Sequence, residues 1–250
     1  MDYNSVFTHR ASSYIFAIQK YPHVMEEEFR TAAAMCQLKE TDTLIHIPGA
    51  CENVVQYIPK GVTYLPFETN KVLGTMMNVP ICTFSSIPSK DTSVDKVLSL
   101  ASLHHLTDEE RTVFYKEVKR ILRPSGMFII GDVGVGSKEA EWLNVFVDKY
   151  NPLGHCGKFW DTSDIQLLKD VGFDVDMEIK SYHWNFPDKD SMIEFCKYLF
   201  GLDKATDEEI VEGLVKYVDV DFIKCRFKWE LVYFTAKVSP VFSLCPMEKT

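Results

Sequence analysis

Apolar residues recur at three- and four-residue spacing from Ala11 to Tyr21 and again from Met25 to Leu38. That spacing predicts two helices, and Pro22 separates them. A different pattern follows. Short apolar runs with β-branched residues at Thr43–Ile47, Val62–Phe67, Val79–Phe84, Asp95–Leu100 and Met127–Val133 predict five buried strands. Between the last two, Asp108 to Leu122 has helical periodicity. Thr107 followed three residues later by Glu110 forms a capping box. Pro124-Ser125-Gly126 stops that helix and turns the chain.

Beyond Val133 the pattern predicts helices at Glu139–Tyr150 and Asp164–Val171, the second stopped by Gly172. A strand from Phe173 to Tyr182, helices at Ser191–Phe200 and Asp207–Tyr217, and a closing antiparallel strand from Phe227 to Val238 complete the series. Strands alternating with helices predict an α/β fold, a parallel sheet with helices on both faces. The two helices between the last strands have no place in the sheet. They predict a helical cap, about residues 183–222, over the sheet's carboxyl edge. No repeat or linker divides the chain, so residues 1–250 read as a single domain with N-terminal helices over 11–38. The tail after Lys237 holds Pro240 and Pro246 and is expected to pack loosely.

The chain has 250 residues, of which 46% are hydrophobic and 25% charged, an ordinary globular balance with material for an ample core. No apolar run reaches the roughly 18 residues of a membrane span, and Met1 to Arg10 lacks the pattern of a signal peptide. A cytoplasmic location and no membrane partner are the expectation. The formal charge of −9 repels phosphate backbones, so no nucleic-acid partner is expected. Seven scattered cysteines, none in a C-x-x-C pair, suggest reduced thiols. Histidines and cysteines are equally scattered, only His155-Cys156 being adjacent, and no metal set is expected.

Three short segments carry a resemblance. They are Asp91-Thr92-Ser93-Val94-Asp95-Lys96-Val97, Leu103-His104-His105-Leu106, and Leu122-Arg123-Pro124-Ser125-Gly126-Met127. In this order they resemble the "D-G-S-F-D-x-V", "L-H-H" and "L-K-P-G-G" segments of the small-molecule subgroup of class I S-adenosylmethionine-dependent methyltransferases. The resemblance implies a Rossmann-like fold with a seven-stranded, mostly parallel sheet whose last strand is antiparallel. It implies S-adenosylmethionine as cofactor and a small, apolar or aromatic acceptor methylated by direct displacement. It leaves room for a homodimer. His105, and after it His104, take the place of a general base beside the substrate.

The front half departs from the family. His46 stands where the first strand carries an acid, and Pro48, Ala50 and Glu52 stand at the three glycine positions, with Gly49 between two of them. Pro66 stands at the ribose-binding acid, with Glu68 two residues on. Thr83 and Phe84 fall where an Asp meets the adenine. The cofactor would therefore rest on His46, Pro48, Gly49, Ala50, Glu68, Thr83, Phe84, and on Leu100 and Ala101 after the fourth strand. Tyr14, Trp142, Trp160 and Trp184 are the aromatic candidates for the acceptor pocket. Tyr3, Arg10 and Tyr14 are placed to close over the cofactor. The eroded loop supports an alternative: a methyltransferase-like protein that transfers no methyl group, acting as a regulatory or scaffold partner or catalysing another reaction such as cyclisation.

Overall fold

A computed structural model describes residues 3–50 and 53–238. The helices are α1 (Tyr3–Lys20), α2 (Glu26–Met35), α3 (Lys71–Met77), α4 (Asp108–Ile121), α5 (Lys138–Glu141), α6 (Asp148–Tyr150), α7 (Thr162–Val171), α8 (Lys189–Phe200) and α9 (Asp207–Tyr217). The strands are β1 (Thr43–His46), β2 (Thr63–Pro66), β3 (Val94–Leu100), β4 (Leu122–Asp132), β5 (Phe173–Asn185), β6 (Val220–Asp221) and β7 (Arg226–Val238). They form one seven-stranded sheet of order β2-β1-β3-β4-β7-β5, with β6 paired to β7. The pairs among β2, β1, β3 and β4 are parallel, and β7 runs antiparallel to β4 and β5. This is the Rossmann-like architecture that the alternating pattern predicts.

The period-two alternation of the strands builds two cores. Leu98, Met127, Ile129, Trp229, Leu231 and Tyr233 face one cluster with α1, α2 and the cap helices. Val97, Phe128, Ile130, Val232 and Phe234 face the other, under α4 and α7. On α4 the buried stripe of Phe114, Tyr115, Val118 and Ile121 recurs at helical spacing. Its aromatic rings meet Phe128 at centroid distances of 5.5 and 5.9 Å. The Thr107–Glu110 capping box forms in both directions, and Gly172 ends α7 at φ 96°.

Three predicted elements differ. Val79–Phe84 is no strand: it contributes single bridges, Glu68 to Ile81 and Thr83 to Ser86. With Ile81, Thr83 and Ser85 exposed, the segment lacks the burial that pays a strand's ordering cost. The helix predicted from Glu139 is continuous to Tyr150 but widens to a π segment over Trp142–Val147. The first helix starts at Tyr3, well before Ala11, because Tyr3 and Val6 are buried. No helix of the described residues is long and apolar enough to cross a membrane. Glu52, Cys51, Cys245 and the proline-bearing tail lie outside the described residues. The other five cysteines form no disulfide.

Candidate active site

Two cavities adjoin at the carboxyl edge of the sheet. The larger, about 110 Å³, is lined by α1 (Phe7, Arg10, Tyr14), the start of α2, Ala101, His104, His105, His155 and the cap residues Trp184, Leu199 and Phe200. The smaller, about 20 Å³, is lined by Tyr3, Pro48, Ala50, Glu68, Leu100 and Ser102. Phe7, Tyr14 and Ala101 line both. Ala101 has a φ of 44°, the left-handed region that an alanine adopts at a cost, and it marks the turn from β3 into the histidine segment.

The histidine segment is tied down from behind. His104 Nδ1 lies 2.7 Å from Asp132 Oδ1, and the His104 N–H donates to Asp132 Oδ2 at 3.1 Å. Burial pushes the Asp132 carboxyl up. The His104 ring, the Val133 N–H and Arg111 together outweigh it and leave the pKa below the ordinary value. Arg111, fully buried on α4, donates from Nε to Leu103 O at 3.1 Å and pairs with Asp164 of α7 at 2.6 Å. It also bonds Lys158 O. His155 arrives on the loop after α6. Its Nδ1 lies 2.9 Å from Asn144 Oδ1, and its N–H donates to Asp148 at 2.8 Å. The Lys158 N–H donates to His104 O at 2.8 Å and closes this loop onto the histidine segment.

The three rings form a cluster. Centroids lie 4.2 Å apart for His104 and His105, 5.5 Å for His104 and His155, and 5.3 Å for His105 and His155. Burial, then the neighbouring rings, holds the His105 pKa well below the usual histidine range. The same causes bring His155 down to about 3. Both rings are neutral near pH 7 and carry lone pairs. The sequence reading saw no such cluster: some fifty residues of chain separate His155 from the pair, and only the fold joins them. Spacing carries no trace of this. Asp132 was equally missed, although an acid ending a buried strand is a signal that could have drawn notice.

At the smaller cavity Glu68 is fully buried. Its Oε1 accepts the N–H groups of Thr69 and Asn70 at 2.8 and 2.9 Å. The Tyr3 side chain and the Ala50 N–H also bond the carboxyl, and burial outweighs all of these bonds and raises its pKa. An acceptor so placed fits a ribose diol. Gly49 sits where a Cβ would lie 2.7 Å from His46 O, so this tight turn requires glycine. Pro48, Ala50, Leu100 and Ala101 line the cavity as expected.

Other candidates lie elsewhere. His46 is fully buried, with Nδ1 2.9 Å from the Tyr64 hydroxyl, and is a strand-packing residue. Thr83 is exposed and bonds Ser85, since its segment forms a turn and no third strand. Phe84 packs edge-on against Phe114 at 4.9 Å and reaches the groove only through Tyr3, at 6.3 Å. Of the acceptor candidates, Tyr14 and Trp184 line the larger cavity. Trp142 does not: it is fully buried and stacked on Phe146 at 4.5 Å. Trp160 does not either: it packs on Phe234 with the Arg111 guanidinium 4.2 Å over its ring. Periodicity cannot tell a buried core tryptophan from one facing a cavity.

The chain from residue 68 to 130 matches the family model of the methyltransferase domain. This span runs from Glu68 to the sheet centre and includes both cavity-lining histidines of the segment after β3. Over this quarter of the chain the sequence is similar to the methyltransferase domain. A curated relative, an uncharacterized methyltransferase of Oceanobacillus iheyensis, is 36% identical over 58 residues, 23% of this chain and 27% of the relative. The match thus spans about a quarter of that relative's length. Among solved structures, a geranyl diphosphate C-methyltransferase from Streptomyces coelicolor, in complex with Mg²⁺, geranyl diphosphate and S-adenosyl-L-homocysteine, is 11% identical. It covers 89% of this chain and 82% of its own, with a TM-score of 0.55. The [4+2]-cyclase SpnF is 15% identical over 84% of this chain and 80% of its own, with a TM-score of 0.53. At such identities these structures share the fold.

Past the loop after β1 the chain forms a 3₁₀ segment, Asn53–Tyr57. Tyr3, Phe7 and Tyr14 of α1 line the smaller cavity.

Proposed function

We propose that this chain transfers a methyl group from S-adenosylmethionine to a small, apolar or aromatic acceptor. The observation that carries the reading is the shared wall of Phe7, Tyr14 and Ala101. On one side of it lies the buried Glu68 carboxylate, and on the other an aromatic cavity lined by three histidines. When bound, the cofactor supplies an electrophilic methyl on a sulfonium.

Glu68 Oε2 would accept from the ribose hydroxyls, and Pro48, Ala50 and Leu100 would pack against the nucleoside. Tyr14, Trp184 and Phe200 would wall the acceptor and exclude water. Direct displacement needs alignment more than acid–base chemistry. His105 lines the cavity, and a lone pair of its neutral ring would steer the acceptor by accepting its hydrogen bond. Its lowered pKa disfavours full proton uptake, a narrower role than that of a general base.

Calorimetric titration with S-adenosylmethionine and its demethylated product tests the reading. Micromolar binding of both is expected, and His105→Ala should lower turnover more than cofactor affinity. Absent or millimolar binding of both would overturn methyl transfer. It would favour the second reading, a reaction in the larger cavity without methyl transfer, for which the 20 Å³ volume of the smaller cavity argues.

A further inference from the structure

We propose that His104, His105 and His155 form a binding site for a divalent transition-metal ion of the zinc class, with its open coordination position facing the larger cavity. One ring nitrogen of each lies within 4.8 Å of those of the other two. Ligands about 2.1 Å from one tetrahedral ion stand roughly 3.4 Å apart, so closure asks the rings to draw in by about an ångström or somewhat more.

The hydrogen bonds behind the rings set which nitrogens are presented. Asn144 Oδ1 accepts from the Gly157 N–H at 2.8 Å, while Asn144 Nδ2 donates to Gly157 O at 2.9 Å. A backbone N–H can only donate and a carbonyl can only accept, so the amide orientation is determined. His155 Nδ1 therefore carries the proton and donates to Asn144, leaving Nε2 with its lone pair. His104 Nδ1 likewise donates to the Asp132 carboxylate, leaving its Nε2. This is the outer-shell arrangement that orients metal-ligating histidines and raises their basicity. His105 Nδ1 is buried and has no hydrogen-bond partner among the described residues.

Three imidazoles with no thiolate or carboxylate among the ligands suit zinc and its neighbours over calcium or magnesium. Cys156, next to His155, is exposed and outside the group. The charged groups on the cavity wall are Arg10 and Glu28. Arg10 opposes a cation, but its guanidinium is engaged by Leu199 O and attracted by Asp203. Asp132 supplies a compensating negative charge behind His104. If the methyl-transfer reading holds, the open position would take the acceptor's heteroatom. The acceptor's proton would then pass to solvent, and the new bond would form from that heteroatom to the methyl as the sulfur–methyl bond breaks.

The test is metal binding by the purified full chain. Zn²⁺ is measured in competition with a chromophoric chelator, and Co²⁺ by its visible absorption. One equivalent at micromolar affinity or tighter is expected, with a Co²⁺ spectrum of tetrahedral intensity. His155→Ala should weaken Zn²⁺ by 100-fold or more. Asn144→Leu, which leaves all three ligands, should weaken it by about 10- to 100-fold. Circular dichroism checks that each variant is folded, and His105→Phe serves if His155→Ala is not. The double variant of the exposed His9 and His23 should bind as the parent does. Millimolar binding by the parent, or equal binding by parent and His155→Ala, would overturn the site. Because no cofactor is present, failure here leaves the methyl-transfer reading standing. Failure of the calorimetry with S-adenosylmethionine likewise leaves the metal site standing.

Discussion

Glu68 shows how one side chain trades stability for a site. Its carboxylate is fully buried beside the smaller cavity, with one oxygen satisfied by two backbone N–H groups and further bonds from Tyr3 and Ala50. Burial raises its folded-state pKa above the unfolded value. The charged form is thus a cost to folding at pH values above that raised pKa. The cost fades as pH falls through it, and it is gone below the ordinary glutamate range. Glu68→Gln keeps the size and the two backbone bonds, so its melting temperature should exceed that of the parent at pH 7. The gain should shrink on acidification toward pH 4, as followed by thermal melts across pH. The same change removes an acceptor worth roughly 1.5–3 kcal/mol, so cofactor affinity should fall about 10- to 100-fold by calorimetry. A variant less stable than the parent at pH 7 would count against this account. Glu68 entered the sequence reading only through its place two residues after Pro66, with an ordinary surface carboxylate as the equal alternative. Its burial was not legible, since that depends on α1, some fifty residues earlier in the chain, packing over it.

At the scale of elements, the histidine segment is held by a brace between α4 and α7. Arg111 bonds Leu103 O, Lys158 O and Asp164, all within the core. Asp164 also returns to the N-terminus of its own helix, closing the capping box with Asp161. Asp164→Ala would strand a buried guanidinium and open that cap. A loss of about 3–5 kcal/mol is expected in urea unfolding. The matching change at the exposed Thr107 cap, Thr107→Ala, should cost only about 1 kcal/mol. Similar losses in the two variants would mean that the brace adds nothing beyond a cap. The helices and caps were readable because periodicity and capping are local. The brace was not, because 53 positions separate its ends in sequence.

At the scale of the whole molecule, α1 closes the carboxyl edge of the sheet. Tyr3, Phe7 and Tyr14 pack ring against ring, at 4.7 Å for the first pair and 5.1 Å for the second. They leave a groove too small for a nucleoside until they shift. Phe7→Ala should therefore speed cofactor association and tighten it by about tenfold, measured by stopped-flow fluorescence and calorimetry. A weaker complex would make the ring part of the binding surface and no obstacle to it. The cap completes the other side through α8, whose Leu199 and Phe200 line the larger cavity.

The order of strands and helices, the two-sided sheet and the position of His104 and His105 after β3 came from the chain alone. Each rests on an interaction between near neighbours in sequence: alternation along a strand, periodicity along a helix, a cap or a turn. The third histidine, the withdrawal of Trp142 and Trp160 into the core, and the small size of the cavity beside Glu68 belong to the tertiary structure. Each depends on side chains tens of residues apart meeting at the sheet edge. Burial and cluster geometry there are set by the packing of whole elements, and no local pattern encodes that.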